Sequence, residues 1–199
     1  MKRRSFFKKL LLGLSVTPLF GVTLAKAAFT FKSAFSRFLR PPGALSESEF
    51  LSRCISCGQC AEVCPNQCIK FFGAEVGLDG INTPYIIPRE QACILCMKCG
   101  DACPTGALKP IKREAEPIIQ EVKMGKALVD KRLCLSYQGK TCGVCYRACP
   151  LPDVAIRVGM LEQPHVLDAC VGCGLCERSC IQIPQAIRII PTHDLSVSY

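Results

Sequence analysis

Apolar positions along the 199-residue chain fall in short runs separated by charged and turn-forming residues. The longest run, Leu10 to Leu24, covers fifteen residues and is interrupted by Gly13, Pro18 and Gly21, which is short for a membrane span. From Ala28 to Glu49, Phe31, Phe35 and Phe38 fall on one helical face and alternate with Lys32, Arg37 and Arg40 before the breaker Pro41-Pro42-Gly43. That pattern predicts either an amphipathic segment resting on a membrane surface or membrane partner, or a strap packed on the core. Farther on, Ile69 to Phe72 is a brief apolar run, and Tyr85-Ile86-Ile87, Ala107-Leu108, Ala155 to Val158 and Ala186 to Ile190 read as short strands. Pro110 to Lys131 is charged and broken by Pro117, so it reads as a linker with one strand or short helix. The elements are short and mixed, an α+β pattern.

Cysteine changes the picture. Sixteen of the 17 cysteines form four quartets: Cys54, Cys57, Cys60, Cys64; Cys93, Cys96, Cys99, Cys103; Cys134, Cys142, Cys145, Cys149; and Cys170, Cys173, Cys176, Cys180. Three have gaps of two, two and three residues, the spacing with which bacterial ferredoxins hold 4Fe-4S clusters; the third has its first gap stretched to seven. Three closely spaced thiolates can wrap one face of a cubane while the fourth points toward a second cluster. Pro65, Pro104 and Pro150 follow the fourth cysteine in three quartets and end the helical turn there, whereas Ile181 follows it in the last. The spacing predicts four 4Fe-4S clusters with all sixteen cysteines as ligands. Zinc sites do not ask for such triplets, and cysteines three apart on a tight turn are badly placed for disulfides. The seventeenth, Cys68, reads as a buried free thiol, with a ligand swap at the first cluster as the alternative.

The strand pattern after each fourth cysteine repeats, which divides the fold into two tandem bacterial-ferredoxin-like modules, 50–112 and 131–192. The rest partitions into a leader at 1–27, an amphipathic linker at 28–49, a linker at 113–130 and a tail at 193–199. About 150 residues so rich in turns cannot build a large core, so the clusters must supply much of the cohesion. Tandem wiring pairs the first quartet with the second and the third with the fourth; nested wiring pairs first with fourth and second with third. The tendency of successive units to be neighbours favours tandem.

Lys2, Arg3 and Arg4 precede the apolar run, and Ala25-Lys26-Ala27 offers a small-residue cleavage site, the layout of an export signal. KRRSFFKK is similar to a twin-arginine signal, a route suited to clusters that are inserted in the cytoplasm and survive only in folded cargo. Retention of the segment as an anchor is the alternative. Six of the 25 basic residues lie in this leader with no acid, leaving 19 basic against 16 acidic residues. Each oxidised cluster with its four thiolates adds about −2, so the formal net charge of +9 is no argument for nucleic acid. Two histidines, His165 and His193, and no paired acids or nucleophile motif leave no catalytic constellation, so the chain reads as an electron carrier rather than an enzyme. Gly58, Gly143, Gly172 and Gly174 are explained by packing and N–H donation around sulfur.

The leader, LRPPGAL before CISCGQCAEVCP, INTPYIIP, the quartet ending CPTGAL and above all CLSYQGKTCGVCYRACPLPDVAI together resemble the MauM/NapG family of ferredoxin-type proteins over nearly the whole chain. The resemblance implies a periplasmic carrier of four 4Fe-4S clusters, peripherally associated with the membrane. It also implies a polytopic quinol dehydrogenase of the NapH/MauN type as donor, and a periplasmic reductase system, most often nitrate reductase, as destination. Uniform gaps of two in the second quartet leave methylamine or another periplasmic system open. A maturation factor for an iron-sulfur or molybdenum enzyme, and a metal-stabilised binding module, are the readings from other classes.

Overall fold

A computed structural model describes residues 38–74 and 80–192. The leader, residues 28–37 of the amphipathic segment, and the tail with His193 lie outside these described residues. No helix among the described residues is long and apolar enough to cross a membrane.

The fold is α+β, made of very short pieces. Six helices are described: α1 (Glu47–Arg53), α2 (Gln59–Glu62), α3 (Lys98–Asp101), α4 (Ala115–Glu121), α5 (Val144–Arg147) and α6 (Leu175–Ser179). Six strands form three antiparallel pairs: β1 (Ile69–Phe71) with β2 (Pro84–Ile86), β3 (Gly125–Val129) with β6 (Ile187–Pro191), and β4 (Ile156–Val158) with β5 (Pro164–Val166). Two-stranded ribbons and one-turn helices are unstable alone, so these pieces depend on what they enclose.

Several expectations change. Phe38 and Leu39 are not helical: Leu39 exchanges backbone hydrogen bonds with Ile86 at 3.2 and 2.8 Å and extends the β1–β2 ribbon. Phe38 packs on Phe72 and Tyr85, with ring centroids 5.1 and 4.8 Å away, so the described end of the amphipathic segment is a strap on the core. Ala107-Leu108 forms no strand, only an isolated bridge between Ala44 and Leu108. The predicted linker 113–130 contains both a helix and a strand, and β3 pairs residue for residue with β6, as in Ala127 with Ile189, which makes it part of the second half. Pro117 does not break α4 because it occupies the first turn, where its missing N–H has no intrahelical partner to lose.

Arg40 pins the strap. It is 9% exposed, pairs bidentately with Glu47 at 2.5 and 3.1 Å, and donates to Thr83 Oγ1 and the Pro84 carbonyl at 3.0 and 2.7 Å. Its guanidinium also lies 4.6 Å from the centroid of the fully buried Phe50 ring. Arg40→Ala strips one partner from a half-buried ion pair and is expected to cost about 3 kcal/mol, read as a lower Tm of the holoprotein. Lysine lacks the planar fork, so Arg40→Lys is expected to recover less than half of the loss; full recovery would show that charge alone matters.

Candidate metal centres

Each cysteine-rich segment follows the same local construction. A residue with left-handed backbone caps the one-turn helix that carries the third cysteine: Gly58, Met97, Gly143 and Gly174, with φ of 78°, 61°, 59° and 87°. In the three regularly spaced quartets a second left-handed residue sits between the first two cysteines, at Ser56, Leu95 and Gly172. Such alternation turns successive N–H groups inward into a concave nest suited to an anion. Two backbone donors are seen on sulfur: Leu95 N–H, within such a nest, on Cys93 Sγ, and Leu108 N–H, beyond it, on Cys103 Sγ, each at 3.4 Å.

The tertiary fold regroups the quartets. Cys54, Cys57 and Cys60 share a cavity with Cys103 (site one), and Cys134, Cys142 and Cys145 share one with Cys180 (site three). Cys170, Cys173 and Cys176 share one with Cys149 (site four). Cys64 lies within electrostatic reach of Cys99, which also feels Cys96, while Cys93 feels Cys99; these four make site two. Every site thus takes three cysteines from one quartet and the fourth from its neighbour, the tandem exchange, and no nested pairing occurs among the described residues.

The cavities of sites one, three and four are alike in their lining, four cysteines each among mostly apolar side chains, so they suit one kind of occupant. Among the described residues no three Cys, His, Asp or Glu side chains converge closely enough to hold a single metal ion. Tetrahedral zinc needs sulfurs about 2.3 Å from one point; four thiols spread around a cavity fit a cubane instead. Burial pushes the Cys60, Cys145 and Cys173 thiols up to about 11 and Cys99 up to about 12. Such thiols stay protonated at neutral pH until iron supplies the compensating charge, so loading releases protons.

Sites two and four abut. The Cys93 N–H donates to the Cys173 carbonyl at 3.0 Å. Beside this bond, Arg89 donates to the carbonyls of Glu177, Arg178 and Cys180 at 3.1, 3.1 and 2.8 Å, capping the end of α6, and Arg178 returns a bond to the Glu90 carbonyl. A cation is well placed at a helix C-terminus. Within each half, the innermost cysteines approach each other: Cys60 and Cys99 in the first, Cys145 and Cys176 in the second. The spatial order is one, two, four, three.

Sequence reading missed three features. Cys68 is buried as expected, yet it belongs to site two, with its sulfur 3.6 Å from Cys64 Sγ and hydrogen-bonded to Cys93. Arg89 carries no motif, and neither does Ser136 within the stretched gap of the third quartet. His165 lies on the edge of Tyr137, with centroids 6.3 Å apart, in no cysteine site.

Comparison with known proteins agrees with this geometry. Residues 53–107 match the family described as a 4Fe-4S dicluster domain, and residues 167–180 match a 4Fe-4S binding domain. The chain is 38% identical over 188 residues to the methylamine utilization ferredoxin-type protein MauM of Methylorubrum extorquens, covering 88% of this chain and 83% of that protein. It is 37% identical over 185 residues to the ferredoxin-type protein NapG of Escherichia coli, covering 86% and 78%. To NapG of Haemophilus influenzae it is 41% identical over 168 residues, 77% of this chain and 58% of that protein. With paired four-cysteine sites and relatives of this similarity, it is a 4Fe-4S electron-transfer protein, and the chain belongs to the MauM/NapG family of ferredoxin-type proteins.

Proposed function

We propose that the chain carries four 4Fe-4S clusters in the periplasm and passes electrons from a polytopic membrane quinol dehydrogenase toward a periplasmic reductase system, nitrate reductase foremost. The observation that carries this reading is the regrouping of all sixteen quartet cysteines into four sites in a continuous series. Bound clusters supply one-electron chemistry; the chain spaces them, buries the inner ones and leaves the outer ones accessible. Site two keeps Cys64, Cys93 and Cys99 buried, whereas Cys57 of site one is exposed. Exposed apolar side chains flank both ends of the series, Ile55 at site one and Ile181 at site three, 64% and 61% exposed, as contact surfaces for a donor and an acceptor require. The twin-arginine-like leader supports export, and the relatives named for methylamine utilization support a methylamine system as the second destination.

The test is an anaerobic redox titration followed by electron paramagnetic resonance, with iron and sulfide counted on the same full-length sample. About sixteen irons per chain, and a cluster titrating where quinol can reduce it, are expected. Cys103→Ala is expected to abolish site one despite leaving the first quartet whole, and Cys64→Ala to abolish site two. About twelve irons in the wild type, or only potentials far below the quinol range, would sink the proposal. Copurification with a multispanning quinol-oxidising protein identifies the donor; exclusive recovery with a cytoplasmic enzyme precursor overturns the respiratory role.

A further inference from the structure

The stretched gap of the third quartet places one polar group where sulfur chemistry can use it. Ser136 is 1% exposed, and its hydroxyl finds no hydrogen-bond partner among the described residues. Leaving such a group unsatisfied costs about 1–3 kcal/mol, so a buried orphan hydroxyl marks a partner that belongs in the space beside it. That space is the site-three cavity, which Ser136 lines together with Cys134, Cys142, Cys145 and Cys180.

Hydrogen bonds on both sides of Ser136 anchor the surrounding turn. Tyr137 and Gln138 both donate their N–H groups to the Cys134 carbonyl at 3.1 Å. Gln163 Nε2 donates to the Ser136 carbonyl at 3.3 Å, and the Tyr137 hydroxyl donates to the Pro164 carbonyl at 3.2 Å. The extra residues Leu135 to Thr141 therefore form an anchored turn whose one buried side-chain polar atom without a partner sits at the wall of site three.

We propose that the Ser136 hydroxyl donates a hydrogen bond to a sulfur of the iron-sulfur cluster held at site three and raises its reduction potential above that of site four. A donor to sulfur favours the reduced cluster, which carries one more negative charge, and the effect is strong where water is excluded. The hydroxyl keeps its proton; the cluster gains one electron from site four. Site four is lined by its cysteines and by Pro, Gly and aliphatic side chains, with no hydroxyl. The contrast makes the step from site four to site three downhill and sets site three as the outlet of the series.

This inference rests on the reading that site three holds a cluster, and an iron count separates the two. Full-length Ser136→Ala, Ser136→Cys and Ser136→Thr are titrated anaerobically alongside wild type, and exchangeable protons around the reduced clusters are recorded by electron–nuclear double resonance. In Ser136→Ala, one cluster is expected to shift to lower potential with full iron content, losing one exchangeable-proton coupling. Cysteine, a weak donor, should shift that cluster in the same direction by less, and threonine should hold the wild-type value. Full iron with every potential unchanged overturns the inference. If Ser136→Ala loses iron, Ser136→Cys decides: a lowered potential supports the donor, and an unshifted one overturns it. A wild-type count lacking one cluster removes the underlying reading instead.

Discussion

Stripping iron from the holoprotein with an anaerobic chelator is expected to abolish its cooperative thermal transition, not merely to lower it. The described helices run from four to seven residues and the strands from three to five, all below the length at which such elements persist alone. Cys60, Cys64, Cys93, Cys99, Cys134, Cys173 and Cys176 are buried in the core and, of the sixteen quartet cysteines, only Cys57 is exposed, so losing the clusters empties the centre of each half. Structural zinc sites, the nearest measured analogue, contribute about 10–16 kcal/mol, against a whole-domain stability of about 5–15 kcal/mol. Near-ultraviolet circular dichroism and amide exchange should both report a chain without fixed tertiary structure. A sharp melting transition in iron-free protein would mean that the aliphatic core, with Leu39, Phe50, Ile86 and Val122 at its centre, suffices on its own.

Gly172→Ala is expected to be the most damaging single substitution outside the cysteines. Gly172 lies between Cys170 and Cys173 with φ of +75°, and a Cβ there would meet the backbone N and O of Gly125 at 2.5 Å. Neither backbone can yield: Gly125 begins β3, and the Met124 N–H is bonded to the Val171 carbonyl at 3.2 Å. The strained φ and the collision together are expected to cost about 3 kcal/mol or more, a fall in Tm of about 10 °C, with the spectrum of site four altered. Gly106→Ala isolates the backbone contribution, since Gly106 has φ of +68° and open space where its Cβ would go. That variant should lose only about 1 kcal/mol. Equal losses in the two variants would show that φ, and not the close crossing of two glycine backbones, explains Gly172.

The legible parts of this protein were those specified by neighbours in sequence. Gaps of two and three residues between cysteines are local geometry, so the quartets and their one-turn helices could be read directly. Reading Ala186 to Ile190 as a strand, observed as Ile187–Pro191, worked for the same reason: Ile187 and Ile189, two residues apart, point one way into the core. Pro117 misled because proline reads as a breaker unless its place in the helix is known, and that place depends on where α4 begins. Phe38 left a membrane-surface segment and a strap on the core both open, and only its aromatic contacts with Phe72 and Tyr85 choose the strap.

By itself the sequence determined the 4Fe-4S ferredoxin character and the α+β class, because cysteine spacing and the scarcity of long apolar runs follow from adjacent residues. The tertiary structure decided which cysteines share a site, the order one, two, four, three, and the standing of Cys68, Arg89 and Ser136. Those properties arise from contacts between segments far apart in the chain, such as Cys60 with Cys103 and Cys93 with Cys173. Closing such contacts depends on how whole elements pack, and no local pattern records it.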